Sequence, residues 1–191
     1  MTNGLPERSL IAINDQSTCA HQGDRTKIRL GVGAVHIGAQ PSLVWTVLGS
    51  CVSVILFAPR MQVSAICHAR LPSPMDAVEP CNVSCIHPCL RQTSDSNQFT
   101  FVTCCIELML RSLAFLQVPK HEITASLIGG ANVLRGFDPN RSVGYQNVDI
   151  ARKTLERHGI LVSHQNIGGT LGRTLTYATD TGKIKVRLHQ A

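Results

Sequence analysis

The stretch 43–58 constrains the fold more than any other part of the chain. It is the most apolar segment, yet it is shorter than a membrane span, and Thr46, Gly49, Ser50 and Ser53 interrupt it. It reads as two core strands, 43–48 and 52–57, joined by a turn at Gly49-Ser50, with Pro59 ending the second. Strands this apolar need cover from other layers. A chain of 191 residues can supply it, because about 70% of its extended surface can be buried on folding. An apolar fraction of 43% against 16% charged residues excludes a disordered chain.

The rest of the sequence supplies those layers. Apolar residues alternate with Arg29, Gly31 and Gly33 over 28–34, a half-buried strand. A short strand over 63–68 is stopped by Leu71-Pro72-Ser73-Pro74, and 73–98, rich in Pro, Ser, Asn and Cys, reads as a long loop. Val102, Cys105, Ile106, Met109, Leu110 and Leu113 fall at helical spacing and predict a helix over 100–116, ended before Pro119. A strand over 123–128 stops at Gly129-Gly130. A second helix is expected over 147–158, with Asn147 as N-cap, Asp149 in the first turn, Arg157 in the last and Gly159 just beyond it. A strand over 160–163, a tight turn at Gly168-Gly169 and Gly172, and a hairpin of 174–179 with 183–188 around Asp180-Thr181-Gly182 complete the chain. Residues 1–26 are polar and aperiodic and read as a mobile tail; 27–191 read as one domain. The expected class is α/β (α+β), a single-domain layered β-sheet sandwich with flanking helices.

Eighteen Lys and Arg against twelve Asp and Glu give a formal charge of +6. No run of five or six basic residues exists and aromatics are 4%, which argues against a nucleic-acid stacking platform. The first twenty residues lack an apolar stretch suited to export, so the eight cysteines are expected to be reduced thiols in a cytoplasm.

Cys51 follows Leu48-Gly49-Ser50 between two apolar runs, and His68 ends the next strand seventeen residues on. Adjacent strands would set the two side by side, and a thiol beside an imidazole can become a nucleophilic thiolate. Spacing alone does not decide the matter. A buried Cys is as a rule an inert small hydrophobe, and a His at a strand end is as a rule simply polar.

The run Thr46-Val47-Leu48-Gly49-Ser50-Cys51-Val52-Ser53-Val54, followed by His68-Ala69-Arg70-Leu71-Pro72, resembles the chemoreceptor glutamine deamidase family, CheD. Gly129-Gly130-Ala131-Asn132, Val143-Gly144-Tyr145-Gln146-Asn147 and Gly168-Gly169-Thr170-Leu171-Gly172-Arg173 agree with it, as does the terminal hairpin around Thr181-Gly182-Lys183. The resemblance spans about 28–188. It implies a cytoplasmic enzyme of chemotaxis, a protein-glutamine glutaminase that hydrolyses selected receptor glutamines to glutamate through a Cys thioester and so tunes adaptation. It implies Cys51 as nucleophile, His68 as general base, and a hydroxyl on the preceding strand, here Thr46, orienting the His. It implies no cofactor and no membrane insertion. The expected partners are cytoplasmic domains of methyl-accepting chemotaxis receptors, helical surfaces rich in Glu, Gln and Ala, and in some bacteria a CheC-type phosphatase.

The chain also departs from the family pattern. The family usually carries its Thr six residues before the Cys, where Trp45 stands; Thr46 comes one residue later, and a one-residue shift on a strand turns a side chain to the opposite face. Thr46 is thus expected to point away from His68 unless a bulge intervenes. Ser126, Ile128, Gln146 and Asn166 replace the family's common Lys, Phe, Arg and Asp. These departures motivate a second reading, a weakly active or inactive member serving as a receptor- or phosphatase-binding adaptor. Cys81, Cys85, His87 and Cys89 are soft and imidazole ligands suited to zinc, although their spacing fits no usual finger and a reduced exposed loop is the simpler reading. A zinc-stabilised interaction module is accordingly a third reading. Cys67, Cys104 and Cys105 are expected in the core. Arg173 is expected in a turn, and His36 in the core or at an edge, although its strand could also bring it near the site.

Overall fold

The apolar and alternating segments assemble into two sheets and a helical layer. The computed structural model describes residues 11–13, 20–22, 25–74, 100–133, 138 and 141–190. In chain order the elements are β1 (Ile11–Ile13), β2 (Ala20–Gln22), β3 (Arg25–Arg29), β4 (Val35–Gly38), β5 (Ser42–Leu48), β6 (Val52–Ala58), β7 (Val63–Cys67), α1 (Val102–Phe115), β8 (Thr124–Gly129), α2 (Val143–Arg157), β9 (Leu161–Ile167), β10 (Arg173–Ala178) and β11 (Ile184–Leu188). One sheet has the order β1-β4-β7-β6-β8-β9, the other β11-β10-β5-β3-β2.

The six-stranded sheet lies in the middle. One face packs against α1 and α2 through Val52, Val54, Ala65, Cys67, Val102, Ile106, Met109, Leu127 and Leu155. Its other face meets the five-stranded sheet through Ile55, Ile66, Ile128, Val44, Leu48 and Tyr177. β7 is therefore buried at every position and β6 at all but Phe57. β5 belongs to the outer sheet and alternates buried and exposed from Ser42 to Leu48, because only one of its faces has cover. The fold class is the expected layered α/β sandwich with flanking helices.

Several boundaries differ from expectation for local reasons. The alternation over 28–34 is not one strand: β3 ends at Arg29, and the chain turns through Gly31 and Gly33, the latter at φ +74°, before β4. The strands flanking Gly49-Ser50 form as expected within a residue, but they are not partners. β5 lies in the outer sheet and β6 in the central one, so Gly49-Ser50-Cys51 is the crossing between layers. α2 begins at Val143, not Asn147; its N-cap is Ser142, whose hydroxyl accepts from the Tyr145 amide. β9 runs on to Ile167, paired in parallel with β8. The stretch read as a tail contributes β1 and β2, paired with β4 and β3. The Cys-rich loop, with Cys81, Cys85, His87 and Cys89, lies outside the described residues.

Candidate active site

The crossing from β5 to β6 places Cys51 at the end of the sandwich, half-buried. Just beyond the β6–β7 hairpin ladder, Val52 and Ala69 exchange both backbone bonds, each at 2.9 Å. Val52 and Ala69 face the helices. By alternation their neighbours Cys51, Ser53, His68 and Arg70 all face the sandwich interior or its mouth. Ser53 stands opposite His68 and Cys51 opposite Arg70, so Cys51 and His68 are diagonal cross-strand neighbours, about 7–8 Å apart at the backbone.

Thr46 meets this pair from the opposing sheet. Its hydroxyl lies 2.7 Å from His68 Nδ1 and 2.7 Å from the Leu30 carbonyl oxygen. The expectation that Thr46 would turn away from His68 is therefore overturned, and no bulge in β5 is needed. Alternation along β5 puts Val44, Thr46 and Leu48 inside and Trp45 and Val47 outside. A hydroxyl has one proton to give. The Leu30 carbonyl can only accept, so Thr46 donates to it and accepts from Nδ1–H. That fixes the proton on Nδ1 and leaves Nε2 as a bare lone pair, buried and without a partner among the described residues.

Electrostatics describe a neutral resting pair. Burial lowers the His68 pKa to about 4. Burial raises the Cys51 thiol, while the Arg70 guanidinium and Cys51's own backbone amide pull it back toward the thiolate. At neutral pH the site holds a protonated thiol and an unprotonated imidazole.

Two supports were not read from the sequence. Asn147, fully buried on α2, donates through Nδ2 to the Ser50 carbonyl at 3.0 Å and to the Arg70 carbonyl at 2.9 Å. It ties the turn before Cys51 to the chain just past His68; as a capping residue type it reads in the sequence as a helix N-cap instead. Arg70, within the quoted His68-Ala69-Arg70 run, supplies the positive charge beside the sulfur. From the other side, the Gly130 amide donates to the Cys51 carbonyl at 2.8 Å and the Ala131 amide to the Gly49 carbonyl at 2.9 Å. A Cβ on Gly129, whose φ is +113°, would collide with the Cys51 carbonyl.

The remaining candidates lie apart from the thiol. Arg173 is buried and organises the glycine turn, donating from Nη1 to the Asn166 carbonyl and Oδ1, both at 2.6 Å, and from Nη2 to the Gly168 carbonyl. His36 is buried on β4 beside Ile66, and burial lowers its pKa to about 4. Asp149 pairs with Lys153, and His158 with Glu107 at 2.7 Å; His164 is exposed on β9. Cys67 and Cys105 are buried against one another between β7 and α1, with Cys104 half-buried beside them. Among the described residues no group of three or more His, Cys, Asp and Glu side chains is placed to hold a metal, and no helix is long and apolar enough to cross a membrane. A cavity of about 310 Å³ opens beyond Gly130, between the ends of β8 and β9 and the start of α2, lined by Asn132, Tyr145, Asp149 and Arg152 among others.

Comparison with known proteins gives one consistent family. A family model described as CheD chemotactic sensory transduction matches residues 88–188. A probable chemoreceptor glutamine deamidase CheD from Maridesulfovibrio salexigens is 32% identical over 171 residues, covering 87% of this chain and 94% of the relative. A probable chemoreceptor glutamine deamidase CheD 2 from Geobacter sulfurreducens is 34% identical over 161 residues, 84% of this chain and 88% of the relative. A Methanococcus maripaludis protein of the same description is 24% identical over 160 residues, again 84% of this chain.

Proposed function

The chain belongs to the CheD family of chemotactic sensory transduction, and from that premise we propose that it hydrolyses glutamine side chains of chemoreceptor cytoplasmic domains to glutamate. The observation that carries this reading is the Leu30–Thr46–His68 chain of hydrogen bonds, which leaves His68 Nε2 unprotonated and, among the described residues, without a partner, one diagonal cross-strand step from Cys51.

In the proposed reaction, His68 Nε2 takes the thiol proton as the Cys51 sulfur bonds to the carboxamide carbon. The tetrahedral oxyanion collapses, the C–N bond breaks, and His68 returns the proton to the leaving nitrogen, releasing ammonia and a thioester. Nε2 then takes a proton from water as the oxygen bonds to the acyl carbon. The C–S bond breaks, glutamate leaves and the thiol is restored. Thr46 holds the tautomer through both halves. Arg70 steadies negative charge on sulfur when the thiolate leaves.

The adaptor reading leaned on Trp45 standing where the family's Thr usually lies and on the missing Lys, Arg and Asp at Ser126, Gln146 and Asn166. With Thr46 on the imidazole and Trp45 on the outer face, the first of these motives falls away and the other three remain. A CheC-type phosphatase belongs to this proposal as a second partner, and a cytoplasmic location as its setting. The test is intact-mass analysis of a receptor cytoplasmic domain co-expressed with this protein or with Cys51→Ala. Each conversion of amide to acid adds about one dalton, and a gain that depends on Cys51 and His68 is expected. No gain in the presence of wild-type protein would remove the enzyme reading.

A further inference from the structure

The outer face of the five-stranded sheet has no layer over it among the described residues, and its composition is one-sided. Ile28, Val44, Leu175 and Val186 turn inward. The alternate positions turn outward: Lys27 and Arg29 on β3, Trp45 and Val47 on β5, Thr174 and Thr176 on β10, Lys185 and Arg187 on β11. The ladder sets Arg29, Trp45, Thr176 and Lys185 in one row, and Val47, Thr174 and Arg187 in the next. Trp45 and Val47 are 37% and 49% exposed, and the Arg29 guanidinium lies 5.7 Å from the Trp45 ring centroid. No strand of this sheet carries an acidic residue; Asp180, in the β10–β11 turn, is held by Arg25 at 2.7 Å. Among the described residues none of Lys27, Arg29, Lys185 and Arg187 pairs with a carboxylate. Half of the described acids, Glu107, Asp149 and Glu156, lie on the two helices instead.

We propose that this face is a docking surface for an acidic helical segment of the receptor, laid along β5 and β10 with its apolar side on Trp45 and Val47. The inference rests on the receptor reading above. The dimensions fit. Three strand spacings of about 4.8 Å separate β3 from β11, so the backbones of the two cation-bearing strands stand about 14 Å apart. A helix about 10–12 Å wide fits between them, with carboxylates reaching both sides. The apolar strip also leads to the nucleophile: β5 ends three residues past Trp45, a rise of about 10 Å, and Cys51 follows three residues later. A helix with its glutamine at Cys51 would set residues about seven to eleven positions away over the strip, at 1.5 Å per residue. Acidic residues at that distance from the target would then select which glutamine is taken.

Trp45 is the only tryptophan of the chain, so its emission reports directly on the face. The test titrates a tryptophan-free receptor cytoplasmic fragment into wild-type protein and into the triple variant Lys27→Glu, Lys185→Glu, Arg187→Glu. Deamidation is followed by mass, and the rate of Cys51 alkylation by iodoacetamide reports the integrity of the site. The expected result is a blue shift of Trp45 in the wild type that weakens with salt. In the triple variant KM rises at least tenfold, while kcat and the alkylation rate stay within twofold. Wild-type deamidation with an unchanged KM in the triple variant overturns the docking surface and leaves the enzyme reading standing. Salt-sensitive binding that the triple variant loses, with no deamidation by either protein, supports the surface and removes the enzyme reading. If the triple variant loses binding to anionic phospholipid vesicles yet binds the fragment as wild type does, the face is a membrane surface and the proposal fails.

Discussion

At the scale of single residues, the site depends on which nitrogen of His68 carries the proton, and Thr46 decides that. Thr46→Val keeps the volume but removes the hydroxyl between Leu30 and Nδ1. The proton can then sit on Nε2, where it blocks uptake from the thiol. A fall in kcat of about 10- to 100-fold with little change in KM is expected, and Thr46→Ser should restore much of it. Equal kinetics for Val and Ser would show that the hydroxyl plays no part. Asn147→Ala leaves the Ser50 and Arg70 carbonyls without their shared donor and should cost about 2–3 kcal/mol in a denaturant titration. The adjacency of the segments carrying Cys51 and His68 was legible from the spacing of their strands, while their reading as a catalytic pair came only from the family resemblance. The phase of Thr46 was not. The crossing at Gly49-Ser50 breaks the strand alternation, so counting back from Cys51 says nothing about which residue of β5 faces inward.

At the scale of elements, α2 and the glycine turns hold the nucleophile loop in place by close backbone approach. A Cβ on Gly144 would stand 2.6 Å from both the Gly130 and Ala131 carbonyl oxygens, so only a glycine lets the first turn of α2 sit on this segment. Gly144→Ala raises helix propensity yet is expected to destabilise by about 2–4 kcal/mol and to slow Cys51 chemistry, since Asn147 rides one turn further along. A variant as stable as wild type would mean that α2 can shift freely. The same glycine hid the start of the helix from the sequence: a poor helix former at its second position and a capping residue type at 147 pointed to the wrong boundary. The turn at 166–172 makes a related point. Arg173 is buried with carbonyls and the Asn166 amide oxygen as its acceptors, and burial lowers its pKa. Asn166→Asp gives the cation an anion at the same atom and should raise the thermal midpoint by a few degrees. An unchanged midpoint would mean that the cation is already solvated enough.

At the scale of the whole molecule, two sheets sharing an interior trap titratable groups that no single element reveals. Sheet membership was the least legible property of the chain. The strands 43–48 and 52–57 look like a hairpin in sequence, and only the surrounding layers send one outward and the other to the centre. That split buries His36 and His68 on the central sheet while both are still neutral, and lowers each from 6.5 to about 4. The unfolded chain therefore binds protons that the folded one refuses between about pH 6.5 and pH 4. Stability is fully present above pH 6.5 and falls as pH drops through that window, with a slope approaching about 1.4 kcal/mol per pH unit for each histidine. Asp180, lowered by Arg25, acts in the same sense but only below its ordinary value of 3.8, outside the window. Denaturant midpoints between pH 4.5 and pH 7.5 should show the loss, and His36→Gln should remove about half of the slope without touching Cys51. A midpoint that stays level down to pH 4.5 would mean that both imidazoles take protons in the folded state as readily as in water.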